Sequence, residues 1–269
     1  LPIGAGISSS AALECGLAKG LNTLFDLGVS DMDLIKISRM AEHNFVGNKC
    51  GVMDQFAVVM GQYKKLILLN CESLEYRLID ADFSPYKIVL LNSNVSHNLV
   101  SSEYNVRVSE CEKALGTIQK KHPEYTFLAD VPETVVESLK EKMPKKVYQR
   151  ALYVSQENTR TLKAAELIQN GEIHKFGELM YKTHQGLSKY YEVSCPELNF
   201  LVDLTQNIPQ VIGSRMMGGG FGGCTISLVK EDFVNPFMDL AKKMYKKKFN
   251  IALSPILVEI SNGVEITNQ

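Results

Sequence analysis

The chain has 269 residues, is 45% hydrophobic and 22% charged, and carries a formal net charge of −1. This is an ordinary soluble globular composition with room for one large core or two smaller ones, and its near-neutral balance argues against a nucleic-acid partner, which needs a basic face. No apolar run reaches membrane-spanning length, no signal peptide opens the chain, and six scattered cysteines form no C-x-x-C pair, so the reading is a cytoplasmic protein with reduced thiols and no membrane partner.

The first residues, Leu1-Pro-Ile-Gly-Ala-Gly-Ile-Ser-Ser-Ser10, run a glycine turn into three serines and then into a helix-forming stretch. Gly4 and Gly6 allow positive φ and close approach of a ligand. The serines fall where a helix begins and its amide hydrogens lack partners, so an anion can bind there on the positive end of the helix dipole. No Gly-Lys-Ser/Thr follows, so this is not a Walker A loop. Ile7-Ser8-Ser9 stands where a dinucleotide fingerprint needs its third glycine. The motif opens the chain with no strand leading in, so a truncated chain is the expectation.

A helix is expected over Ser10 to Asp26, with Ala11, Leu13, Leu17, Leu21, Leu24 and Phe25 at helical spacing and Gly28 as its stop. Ser30 caps a second helix that runs through Leu34, Ile37, Met40 and Ala41. Gly47 to Gly51 reads as a loop. Lys65–Asn70, Leu74–Ile79 and Tyr86–Asn92 read as strands, the last apolar enough to be central. Helices are expected near 101–120, 132–140, 146–168 and 171–190, and another starts at Ser194, where Ser194 and Glu197 match a capping box. Gly213 to Cys224 forms a second glycine-rich block, with five glycines between Met217 and Cys224, followed by a strand over Thr225–Val229. Glycines directly ahead of an apolar strand fit close packing against another backbone or a ligand. A helix over 231–249 and a strand over 256–260 complete the chain.

The opening Pro2-x-Gly4-x-Gly6-x-Ser8-Ser9-Ser10-Ala11-Ala12 resembles the phosphate-binding motif of the GHMP small-molecule kinases. Further segments resemble the galactokinases within that group, in the same order and across most of the chain. They are Ala41-Glu42-His43-x-Phe45-Val46-Gly47, Cys50-Gly51-Val52-Met53-Asp54-Gln55-Phe56, Asn92-Ser93-Asn94-Val95-x-His97, Ser101-Ser102-Glu103-Tyr104, Tyr191 to Leu198, and Gly213-Ser214-Arg215-Met216. The resemblance implies an α+β GHMP kinase fold: the remainder of an N-terminal α+β domain over 1–84 and a ferredoxin-like C-terminal α+β domain over 85–269.

The resemblance also implies ATP-dependent phosphorylation of galactose at its anomeric hydroxyl, with Mg²⁺. Gly4, Ala5, Gly6, Ile7, Ser8, Ser9 and Ser10 would line the phosphates. Ser10 and Glu42 would hold Mg²⁺, and Asp54 would be the catalytic aspartate. Gly51, Asp54 and Tyr104 would contact the sugar, while Gly218, Gly219, Gly220 and Gly222 would form a second wall for the triphosphate. ATP and galactose are the implied partners of a monomeric enzyme. The family motif R-x-N-x-x-G-E-H-x-D, which carries an arginine beside the aspartate and further sugar ligands, does not occur in this sequence. Met217 stands where the family more often has a small hydroxyl residue. Two other activities stay open: a kinase of another sugar such as N-acetylgalactosamine, and a sensor that binds sugar and ATP and regulates transcription without turnover. Taken alone, Glu42 reads as a solvated helix face, Asp54 as a helix cap and Tyr104 as a half-buried helix residue. His97, His122, His174 and His184 show no metal spacing, and Lys242, Lys243, Lys246, Lys247 and Lys248 read as a solvated face.

Overall fold

A computed structural model describes residues 6–47, 50–96 and 100–267. The chain divides into two compact units. The first runs to Asp82 and takes the chain back from Val258 onward; the second spans Phe83–Leu257.

The first unit holds helices α1 (Ser9–Leu24) and α2 (Asp31–Ala41), a π-helical turn over Glu42–Val46, α3 (Met53–Met60) and strands β1 (Lys65–Leu69) and β2 (Tyr76–Asp80). Ser30 caps α2 as expected, its hydroxyl accepting from the Asp33 amide at 3.2 Å. Strands β1 and β2 pair antiparallel, Lys65 opposite Asp80 and Leu69 opposite Tyr76. The core is Cys15, Ile35, Val52, Phe56 and Val59, with Ile67, Leu69 and Leu74 packed against it.

The leucine spacing in α1 finds the helix and misplaces its buried face. Leu13 and Leu24 are 73% and 75% exposed, while Ala11 and Cys15 are buried. Small residues let α1 lie close against α2 and α3, so this face, and not the leucine stripe, meets them. The last residues, read from sequence with the second half, return to the first unit. The Gly263 amide donates to Gly61 O at 2.8 Å and the Val264 amide to Val58 O at 2.7 Å.

The second unit contains β3 (Tyr86–Ser96), α4 (Val100–Gln119), α5 (Glu133–Ser138), α6 (Lys145–Gln169), α7 (Ile173–Lys189), α8 (Pro196–Thr205), β4 (Val211–Met216), β5 (Gly222–Lys230), α9 (Val234–Phe249) and β6 (Ser254–Val258). The sheet order is β4-β5-β3-β6. Taken along the chain this is strand, helices, two strands, helix, strand, with the first strand interior, which is the ferredoxin-like arrangement. β5 is antiparallel to both neighbours and is buried along nearly its whole length. Its buried face includes polar Thr225 and Ser227, and the Ser227 hydroxyl pairs with that of Ser214 on β4 at 2.9 Å.

The sheet packs on α8 and α9 through Val89, Leu91, Leu201, Val229, Phe237 and Tyr245. Full burial of each large apolar side chain there contributes about 1.5–3 kcal/mol. A separate helical core joins α4, α5 and α6 through Ala114, Ile118, Val136, Val147 and Ala151. The lysines of α9 from Lys242 to Lys248 are exposed, as a solvated face requires.

Two local expectations shift. The sequence block beginning at Gly213 is a strand through Met216 before it becomes a loop. Gly213 is there because α7 lies directly on β4: a Cβ on Gly213 would sit 2.5 Å from the Gly177 Cα. Helix α8 is capped by Cys195, with Pro196 in its first turn, rather than by Ser194. The cap position falls one residue later than the S-x-x-E pattern places it, and the Ser194 hydroxyl donates to Asn199 Oδ1 at 2.7 Å.

Candidate functional site

The opening turn is described from Gly6 onward; Gly4 and Ala5 lie outside the described residues, as does His97. Gly6 has φ 70°, and Ser8, the residue that caps α1, sits in the left-handed region at φ 58°, ψ 38°. Its side chain makes no capping hydrogen bond. The Ala12 amide donates to Ser8 O at 2.9 Å, so the helical ladder starts there and the preceding amides point out of the helix mouth. A strained non-glycine residue at a half-exposed helix start is a common mark of a ligand seat. Ser9 and Ser10 form the first turn of α1.

Glu42 is the first residue of the π-helical turn that continues α2, and it is only 3% exposed. It is therefore not the solvated glutamate that a lone-residue view expects. One extra residue per turn rotates the carboxylate off the regular helix line, and such turns recur at functional positions. Two residues that sequence reasoning passed over sit with it. Glu14 on α1 is within hydrogen-bonding reach of Glu42 and Gln55, and its carboxyl is pushed above the usual range, first by burial and then by the Glu42 charge. The Glu14 Oε2 and Gln55 Oε1 atoms are buried with no partner among the described residues. The available signal was the spacing of Ser10 and Glu14, four apart on one face of α1.

Cys50 ties the cluster to the next loop. Gln55 Nε2 lies 3.9 Å from Cys50 Sγ, and the charges of Glu42 and Asp54 both act on that thiol, which burial holds above its ordinary pKa. The His43 Nε2–H donates to Cys50 O at 2.8 Å, which fixes the end of the loop from the π-helical turn. Asp54 is half-buried in the first turn of α3, one residue past Met53; the cap position belongs to Val52, so Asp54 is not an N-cap. Gly51 is exposed just ahead of this turn. The first unit thus links Glu14, Glu42, Cys50, Asp54 and Gln55, while Ser10 is exposed one turn before Glu14 on α1. Among the described residues there is no group of three or more His, Cys, Asp or Glu set to hold a metal.

Tyr104 and the second glycine block belong to the second unit. Tyr104 is half-buried on α4 and lies near Tyr191. The glycine loop, Met217 to Phe221, joins β4 to β5. The Met217 amide donates to Cys224 O at 3.1 Å and the Phe221 amide to Val193 O at 2.7 Å. Gly220 has φ 87°, and a Cβ there would stand 2.1 Å from Val193 O, so its glycine is required by backbone packing. Gly219 faces open space. The Asn92-Ser93-Asn94 segment forms an irregularity in β3 between Asn92 and Ser96, and Ser93 Oγ donates to Gly223 O at 2.8 Å.

His184 of α7, 5% exposed, accepts from the Met216 amide through Nδ1 at 3.1 Å. It forms part of the lining of a cavity of about 630 Å³ between α7 and α8, with Lys182, Gln185, Asn199 and Asp203; none of the sequence-predicted site residues lines it. Burial, the largest effect, lowers its pKa to about 4; Asn199 and Asp203 work in the opposite direction, and Arg215 adds to the lowering. The neutral ring is the form that accepts from Met216. An unfolded histidine, near 6.5, takes a proton first, so this stability is complete above pH 6.5 and is lost as pH falls toward 4. The expected loss is about 3 kcal/mol. Urea midpoints at pH 7.5 and 4.5 measure it, and His184→Asn, which keeps an acceptor near Nδ1, should narrow the difference. An equal pH dependence in the variant would assign the effect elsewhere.

Comparisons with known proteins identify the family. The chain matches the GHMP kinases N terminal domain over residues 1–62 and the GHMP kinases C terminal domain over 164–235. It is 41% identical over 269 residues to a galactokinase of Clostridium acetobutylicum, covering 100% of this chain and 69% of that protein. It is 40% identical over 265 residues to a galactokinase of Thermotoga maritima, covering 98% of this chain and 73% of that protein. The crystal structure of Lactococcus lactis galactokinase complexed with galactose superposes with a TM-score of 0.94 at 32% identity, covering 98% of this chain and 68% of that one. Among the described residues no helix is long and apolar enough to cross a membrane. With the helix-mouth amides, the buried Glu42 and Asp54 in one unit and a ferredoxin-like second unit, the chain belongs to the galactokinase family of GHMP kinases.

Proposed function

We propose that this chain transfers the terminal phosphoryl group of ATP to the anomeric hydroxyl of galactose, giving galactose 1-phosphate, and that the residues of its opening helix, π-helical turn and third helix carry the reaction. What supports this reading is that Glu14 of α1 reaches the buried Glu42, and that Glu42 and Asp54 both act on Cys50, all within one unit. Phosphoryl transfer asks a protein for positioning and charge neutralisation more than for covalent chemistry.

The amides from Gly4 to Ser10 line the phosphates. The left-handed Ser8 opens α1, whose first amides precede the helical ladder and lack helical partners. Ser10 and Glu42 would hold Mg²⁺, and the unpartnered buried oxygens of Glu14 and Gln55 fit a cation that prefers hard oxygen donors. The ion, when bound, neutralises charge on the phosphates. Asp54 accepts the proton of the sugar hydroxyl or holds that hydroxyl by charge. Gly51 offers backbone to the sugar and Tyr104 its hydroxyl. Gly218, Gly219, Gly220 and Gly222 form a second nucleotide wall, in which Gly220 acts by seating the loop and Gly219 has the open side. The N-terminal kinase domain corresponds to the first unit, residues 1–82 with the tail from Val258, and the C-terminal one to Phe83–Leu257. The described cysteines are all free, which supports a cytoplasmic setting.

The test is sugar-dependent ADP release with galactose, N-acetylgalactosamine and glucose. Turnover on galactose is the expected result. Binding of galactose and ATP without turnover would replace the enzyme with a sensor, and preference for N-acetylgalactosamine would change the substrate.

A further inference from the structure

The segment Tyr190-Tyr191-Glu192-Val193 has no role in the reaction as described, yet every one of its carbonyls is occupied. Tyr190 O accepts from Arg150 Nη1. Tyr191 O accepts from Arg107 Nε at 2.8 Å, and Glu192 O from Arg107 Nη2 at 3.1 Å. Val193 O accepts from the Phe221 amide of the glycine loop at 2.7 Å. Four successive carbonyls thus hold two helices on one side and the glycine loop on the other. Glu192 sits at φ 54°, a left-handed conformation that a non-glycine residue keeps only when its surroundings impose it.

The two arginines are set for this. Arg107 on α4 is 6% exposed and Arg150 on α6 is fully buried. Both pair with Glu110, at 3.0 Å and 2.8 Å, and Arg150 also reaches Glu192 Oε2 at 2.6 Å. Guanidinium groups suit this arrangement because their rigid fork can serve a carboxylate and several carbonyls together. Arg107 stands three residues after Tyr104 on the same helix, and Tyr191, whose carbonyl it holds, has its hydroxyl near Tyr104. On the other side, Val193 packs with Leu198 and Met216, against which Phe221 sits.

We propose that Arg107 is a positioning residue: through the Tyr190–Val193 turn it fixes the glycine loop relative to the α4 segment that bears Tyr104. It touches neither substrate. It rests on the reading of Tyr104 and the glycine loop given under Proposed function, but its structural part stands without that reading. Removing the guanidinium frees Tyr191 O and Glu192 O, the turn relaxes, and the Val193 O to Phe221 hydrogen bond loosens. The loop then loses its seat while the rest of the unit keeps its core.

The experiment compares Arg107→Met and Arg107→Lys with the unaltered chain, well below their melting temperatures. Hydrogen exchange is read on the segment 217–224 and, as an internal reference, on the β1–β2 hairpin. Arg107→Met should speed exchange in 217–224 at least tenfold and leave the hairpin unchanged; Arg107→Lys, which can still reach one carbonyl, should recover part of the protection. In turnover assays the KM for ATP should rise about fivefold or more in Arg107→Met, with partial recovery in Arg107→Lys. If Arg107→Met does not fold, the lysine variant alone should show intermediate exchange in 217–224. Unchanged exchange in that segment, or an increase spread evenly over both units, overturns the proposal. Faster exchange at the loop with wild-type ATP KM would limit Arg107 to structure and also overturn it. A chain with no sugar-dependent turnover at all would count against the kinase reading, while the exchange result would still decide the role of Arg107 in seating the loop.

Discussion

Asp54→Ala should abolish galactose-dependent ADP release while nucleotide still binds. A positioned acid or base contributes about 10²–10⁴-fold to a rate, so turnover should fall by at least the lower figure. The position allows a clean test. Asp54 is half-buried in the first turn of α3 and does not cap that helix, since Val52 holds the cap position. An acidic side chain in a first turn is favoured there by the helix dipole by about 0.3–1 kcal/mol, so the substitution should cost little stability. Measuring kcat together with nucleotide affinity separates loss of chemistry from loss of folding. A variant with near-normal kcat would remove Asp54 from the reaction.

Gly177→Ala should cost unfolding free energy at the upper end of the about 1–3 kcal/mol range for forcing an extra group into a packed contact. A Cβ at Gly177 would stand 2.1 Å from Ile212 O and 3.2 Å from the Gly213 amide nitrogen. These are backbone atoms of β4 and cannot swing aside as a side-chain end would. The helix must lift from the strand, and β4 leads directly into the glycine loop. Gly116→Ala provides the contrast: it lies within α4 with nothing within 4 Å of its added Cβ. There the better helix propensity of alanine should raise stability by up to about 1 kcal/mol. Opposite shifts in the urea midpoint are the expected result. If both substitutions move it in the same direction, the contact between α7 and β4 is not what makes Gly177 a glycine.

Much of the fold was legible because its signals are local. Ser30 capping α2, the helical spacing in α6 and α7, and the apolar Tyr86–Asn92 strand each depend on residues within a few positions of one another. The ferredoxin-like order followed from a resemblance carried by motifs, and the strand order bears it out. Strand β4 was hidden because Gly213 and the following glycines read as loop. Gly213 serves contact with α7, and nothing next to it in the chain announces that partner. The capping box at Ser194 was one residue off, because α8 starts from Cys195 with Pro196 in its first turn.

By itself the amino-acid sequence determined the element pattern, the phosphate-binding opening and the family, since these reside in side-chain types at short spacing. Tertiary structure alone decided which face of α1 is buried, that the chain beyond Val258 returns to the first unit, that Glu14 and Gln55 join Glu42, and that four carbonyls of the 190–193 turn bind helices and loop together. The physical reason is that a main-chain carbonyl is the same group at every residue and so leaves no mark in the sequence. Its partner, often far along the chain, is chosen only when the whole unit packs.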